Sequence, residues 1–92
     1  MNRLNDNEIN KKLKELPGWS YNTDVISKEY GKKDFSTALA FVVRIGIEAE
    51  KADHHPDILI HSWNKIKITL STHSEGGVTQ KDINLAKTIE TL

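Results

Sequence analysis

From Asp34 to Ala52 the chain is almost continuously apolar, and this stretch constrains the fold more than any other. Its apolar positions are Phe35, Ala38, Leu39, Ala40, Phe41, Val42, Val43, Ile45, Gly46, Ile47 and Ala49. Only Arg44 interrupts the run between Thr37 and Glu48. Asp34 is a natural N-cap and Pro56 forbids continuation, so one long helix to about Ala52 is expected. Its apolar face is wider than one core-facing stripe. A chain of 92 residues is too short for two independent cores, and it cannot bury such a helix on all sides by itself. An oligomer interface along the helix is therefore expected, against the plainer alternative of a thick helix-on-sheet core.

Period and turn chemistry predict the other elements. Asn5-Asp6-Asn7 offers N-caps, Glu8 closes a capping box from Asn5, and Ile9, Leu13 and Leu16 mark one face of a short helix that Pro17-Gly18 ends. Trp19 to Tyr21 and Val25 to Tyr30 read as strands joined by a turn at Asn22-Thr23-Asp24. Asp57 to Ile60 reads as a third strand, His61-Ser62-Trp63-Asn64 as its turn, and Lys65 to Thr72 as a fourth. In that last strand Ile66, Ile68 and Leu70 alternate with Lys67, Thr69 and Ser71, the pattern of a half-buried strand. Ser74 to Gly77 is a loop, and Thr79 caps a final helix with Asp82 in a capping-box position and Val78, Ile83, Ala86 and Ile89 on its apolar side. The order α-β-β-α-β-β-α with hairpins predicts an α+β class: one domain over residues 1–92, a four-stranded antiparallel sheet packed against helices.

The charge balance excludes several function classes. Thirteen Lys+Arg against thirteen Asp+Glu leaves no cationic surplus for nucleic acid. No apolar run approaches a membrane span, and the first residues lack the apolar stretch of a signal peptide, so a cytoplasmic location is expected. The absence of cysteine removes disulfides, thiolate catalysis and Cys-based zinc sites.

All four histidines, His54, His55, His61 and His73, fall within twenty positions. Asp53-His54-His55-Pro56-Asp57 lies where the long helix gives way to a strand, and Pro56 pushes His55 toward extended backbone. Two adjacent rings on extended backbone diverge, so only a bend lets both approach one ligand. If the third and fourth strands form a hairpin, His73 faces His54 and His55 at one sheet edge. Imidazoles titrating near neutrality can give and take protons there, with Asp53 and Glu50 close enough in sequence to orient a ring. His61 is read as a solvated turn residue.

Other chemistries fit less well. Three histidines can hold zinc, but adjacent rings diverge and the i, i+4 helix spacing is absent. Ser71 and Ser74 flank His73 without the strained elbow of a nucleophile. Gly76-Gly77 is more simply a turn than an anion cradle. Trp19 and Trp63 could stack on a planar ligand, but each alone is by default a core residue.

The segments Glu50-Lys51-Ala52-Asp53-His54-His55-Pro56-Asp57, Asn64-Lys65, Thr69-Leu70-Ser71-Thr72-His73, Gly77, Thr79 and Asp82-Ile83 closely resemble the pterin-4a-carbinolamine dehydratase family. The resemblance reaches back to Pro17-Gly18-Trp19 and Lys33-Asp34-Phe35, so it spans nearly the whole chain. Family members commonly carry one residue fewer between Pro56 and Asn64 and a tyrosine where Trp63 stands, a departure that bears on the 61–64 turn. The resemblance implies a lyase of pterin recycling that dehydrates a 4a-hydroxytetrahydropterin to quinonoid dihydropterin and water. It implies His54 and His73 as the acid–base pair and His55 as a catalytic and substrate-binding residue. Pro56, Trp19, Glu50 and Asp82 are implied around the substrate, Glu50 and Asp82 as orienting groups, with Asp53 also orienting. It implies no metal and no cofactor. It further implies a homodimer extending the sheet, or a homotetramer through the long helix. Some relatives also act as dimerisation cofactors of a transcription factor, which makes a protein-binding module the alternative function.

Overall fold

Asn5 starts the first helix: its side-chain oxygen accepts from the Glu8 N–H at 2.8 Å, and the Glu8 carboxylate accepts from the Asn5 N–H at 3.0 Å. The computed structural model describes residues 2–92, and this helix, α1, spans Asp6–Leu13. It ends earlier than the Pro17-Gly18 break. Beyond Leu13 the bonds tighten to the i→i−3 kind, from Lys14, Glu15 and Leu16, and this still turns Leu16 into the core.

Strands β1 (Ser20–Asn22) and β2 (Val25–Gly31) form the expected hairpin. Asn22 pairs with Val25, so the loop is Thr23-Asp24, both left-handed at φ 40° and 67°. Two successive positive φ values match the right-handed twist of the flanking strands. Asp34 then caps α2 (Phe35–Ala52), its carboxylate accepting from the Thr37 N–H at 2.8 Å. After α2 come β3 (Asp57–His61), β4 (Lys65–Leu70), a short 3-10 turn at His73–Glu75, and α3 (Gln80–Glu90).

Three details differ from the sequence expectation. His61 belongs to β3, paired with Lys65, so the loop narrows to Ser62-Trp63-Asn64. Ser62 and Trp63 are both left-handed, at φ 51° and 58°, and Trp63 stands 61% exposed instead of filling the core. Strand β4 ends at Leu70 because Thr72 turns away to bridge Gly77, and the tight turn between them closes through Gly76 at φ 69°. His73 therefore sits in that turn and not on a strand.

The sheet order is β1-β2-β4-β3, with every neighbouring pair antiparallel. One face carries Ile26, Ile66, Ile68 and Leu70, all fully buried against Phe41, Ile45 and Ala49 of α2 and Ile83, Ala86 and Ile89 of α3. Burying one such side chain is worth about 1.5–3 kcal/mol, so this layer is the fold's main support. The other face carries Ser27, Glu29, Lys67 and Thr69 and is not covered by the helices. The chain is thus a single α+β domain of the predicted order. Among the described residues no helix is long and apolar enough to cross a membrane.

Candidate active site

The end of α2 supplies the bend that two neighbouring histidines need. Asp53 adopts left-handed backbone at φ 49°, and its N–H and that of His54 return to the carbonyls of the last helical turn. Pro56 then prevents the helix from resuming. The two rings diverge: His54 points inward and is buried, while His55 stays exposed.

Buried His54 meets a buried carboxylate. Its Nε2–H donates to Asp82 Oδ1 at 2.5 Å, and Asp82 has no exposed surface. The second oxygen, Oδ2, accepts from the Thr72 hydroxyl at 2.8 Å and from the Thr79 N–H at 2.9 Å. Thr72 has only one hydroxyl proton, which Asp82 takes, so the 2.8 Å contact between the two hydroxyls must be Thr79 donating to Thr72. Thr79 in turn accepts from the Lys81 N–H at 3.2 Å. Every group in this buried network is satisfied, as a charge out of water requires. With Nε2 committed to Asp82, Nδ1 is the free nitrogen of His54.

The cleft lies where β3 begins and β4 ends. A concavity of about 250 Å³ is lined by Asp53, His54, His55, Thr72, His73 and Lys81, among others. A second, of about 280 Å³, continues onto the uncovered sheet face along His55, Asp57, Thr69, Ser71 and His73. His55, Ser71 and His73 are common to both. The His55 Nε2 lies 2.6 Å from Glu50 Oε1 at the rim, whereas the His73 ring has no hydrogen-bond partner among the described residues. One braced imidazole, one tethered at the rim and one free imidazole therefore share a single concave surface, an arrangement suited to moving protons on a small ligand.

Not every expected residue belongs there. Trp19 is a core residue whose Nε1–H donates to Glu90 at 3.3 Å, at the opposite end of α3, and it does not line the cleft. Asp82 is too deeply buried to touch a ligand; it positions His54. Among the described residues the Asp53 side chain makes no hydrogen bond and Asp53 shapes the site through its backbone, so the carboxylates that meet histidine rings here are Asp82 and Glu50. Pro56 stands half-buried between the cleft residues His55 and Asp57. His61 lies at the far end of β3, roughly 13 Å along the strand, paired with Glu29. Asp57, Thr69, Ser71 and Thr72 also line the cleft, although in the sequence they stand only as parts of motifs with no place at the site assigned to them. The alternation of Thr69 and Ser71 opposite Ile68 and Leu70 was the available signal for two of them.

Fold and site together define a small α+β domain with a cleft lined by three histidines at one end of an antiparallel sheet. The chain belongs to the pterin 4 alpha carbinolamine dehydratase family, whose model matches residues 2–92. A relative in Sulfolobus acidocaldarius, provisionally named a pterin-4-alpha-carbinolamine dehydratase, is 45% identical over 87 residues, covering 95% of this chain and 94% of its own. A similarly named relative in Thermosynechococcus vestitus is 47% identical over 90 residues, covering 98% and 94%. The crystal structure of a Brucella melitensis protein described as a transcriptional coactivator/pterin dehydratase superposes with a TM-score of 0.93 at 40% identity, covering 98% of this chain and 97% of that one. A pterin dehydratase-like protein described as a RuBisCO assembly factor shares the fold alone, with a TM-score of 0.65 at 15% identity. Membership of this family supports a dehydratase acting on a pterin carbinolamine.

Proposed function

We propose that the chain dehydrates a 4a-hydroxytetrahydropterin to the quinonoid dihydropterin by histidine acid–base catalysis, as a step in pterin recycling. The observation that carries this reading is the meeting of a free imidazole, His73, and a carboxylate-braced one, His54, in one cleft. Hydroxide leaves poorly, so an acid must protonate the C4a oxygen as its bond to carbon breaks. The N5 lone pair then forms the C4a=N5 double bond, and a base takes the N5 proton. His54 suits the base, because Asp82 stabilises the imidazolium formed when Nδ1 accepts a proton. His73 suits the acid, and its exposure lets solvent restore its proton. His55 packs on the pterin at the rim. The substrate nitrogen supplies the electrons, so the chemistry calls for neither metal nor cofactor.

A dehydration assay on synthetic 4a-hydroxytetrahydropterin tests this. The wild-type chain should accelerate water loss, and His73→Ala should lower the rate by about 10²- to 10⁴-fold with an unchanged circular dichroism spectrum. No acceleration by the wild type would overturn the activity, and an unimpaired variant would overturn the role of His73. Activity should survive dialysis against a chelator; loss restored by zinc would revive a metal mechanism.

A second reading concerns assembly. Phe35, Leu39, Val43 and Ile47 recur every four residues on α2 and are 43–61% exposed. This stripe supports a homo-oligomer formed through α2, cytoplasmic like its proposed substrate pool. The coactivator description of the Brucella protein makes a transcription-factor partner the competing occupant. Co-purification of such a partner in place of self-association would favour it.

A further inference from the structure

The geometry points to Asp57 as the residue that selects the amino-pyrimidine end of the substrate, an inference that rests on the dehydratase reading above. Asp57 opens β3 on the uncovered face of the sheet, opposite Thr69 and two residues after His55. It lines the same concavity as His55 and His73. The other polar groups of that wall are largely committed. The second carboxylate there, Asp24, is paired with Arg3 at 2.7 Å, and the Ser71 hydroxyl donates to the Asp24 carbonyl at 2.8 Å. His55 faces Glu50. Among the described residues the Asp57 carboxylate has no hydrogen-bond or ion-pair partner, so it is the unpaired anionic acceptor that this wall offers to a ligand.

An ionised carboxylate only accepts hydrogen bonds. It favours a ligand edge made of N–H donors and repels a carbonyl. Pterins carry a 2-amino group beside ring nitrogen N3, and an acceptor placed there accepts a hydrogen bond from the amino N–H and favours the tautomer with N3–H. Thr69 on β4 and Ser71 just past its end both line this concavity, roughly 7 Å apart along the extended chain, a span matched to a flat bicyclic ring lying between them. With its amino end on Asp57, such a ring extends toward His73 beyond Ser71, where its hydroxylated carbon is to be protonated. Asp57 would thus choose the ring and its direction, and the histidines would act on it.

The test compares two stable rings that need no turnover: 7,8-dihydropterin, and 7,8-dihydrolumazine, which bears an oxygen in place of the 2-amino group. Wild-type protein should bind the dihydropterin about ten- to a hundredfold more tightly by fluorescence titration, the worth of a hydrogen bond to a charged partner. Asp57→Asn, matched in shape, should narrow that preference, and Asp57→Ala should abolish it. In the dehydration assay both variants should raise KM while kcat stays within about threefold. Equal binding of the two rings by the wild type, or an undiminished preference in Asp57→Ala, would overturn the assignment. Because the ring preference is read by binding, a wild-type chain that discriminates but does not dehydrate would overturn the catalytic reading and leave the role of Asp57 standing.

Discussion

Asp82 serves two elements with its two oxygens. One closes the capping box of α3 on the Thr79 N–H, and the other holds His54 at the end of α2. The capping role is legible in the sequence because its partner is three residues away. The pairing with His54 is not, because it joins residues 28 apart and exists only once both helices pack on the sheet. The same separation of local from tertiary chemistry hid Thr72, whose hydroxyl reads in sequence as ordinary strand polarity. Asp82→Asn should preserve the shape of the site but no longer favour an imidazolium. It should lower kcat by about a hundredfold or more with little change in KM. Thr72→Val leaves Oδ2 of a buried carboxylate short of a donor and should cost about 1–3 kcal/mol in a urea titration. Thr72→Ser should restore most of that loss; a Ser variant as unstable as the Val variant would show that the methyl group matters instead.

Among the elements, α3 is fixed at its far end by a second carboxylate. Glu90 accepts from Lys28 at 2.8 Å, from Trp19 at 3.3 Å and from the Tyr30 hydroxyl, which ties the helix to β2 and to the turn after α1. Burial pushes the Glu90 carboxyl up, but these donors outweigh it and hold it below its ordinary value near 4.5. Burial, reinforced by the Glu90 carboxylate, raises the Tyr30 phenol. The sign for Glu90 follows from linkage: a depressed folded value adds stability above the unfolded value and loses it as pH falls through the folded one. The wild-type urea midpoint should therefore drop below about pH 4.5, and Glu90→Gln should flatten that part of the profile while lowering stability at pH 7. A Gln variant with the wild-type acid profile would assign the drop to other carboxylates. Caps at Asn5, Asp34 and Thr79 were readable because each is settled within one helical turn. The early end of β4 was not: Ser71 continues the polar alternation and β-branched Thr72 suits a strand, and only the bridge to Gly77 takes the chain out of the sheet.

At the scale of the molecule, the width of the apolar face on α2 carried the most information. The structure divides it: Ala38, Phe41, Ile45 and Ala49 enter the core, and Phe35, Leu39, Val43 and Ile47 face outward. The sequence could show that the surplus exists but not what covers it, since period alone says nothing about a neighbouring chain. Val43→Asp should shift the sedimentation of a self-associated chain toward monomer without unfolding it, because the side chain lies outside the core; unchanged sedimentation would place the contact elsewhere. The two moorings of α3 have a mechanical consequence. A beam held at both supports does not swing, so the helix that braces His54 serves as a fixed reference for the cleft. The opposite wall is held by a different tie, where Arg3 joins Asp24 of the Thr23-Asp24 turn to the Gly76 carbonyl of the 71–77 segment.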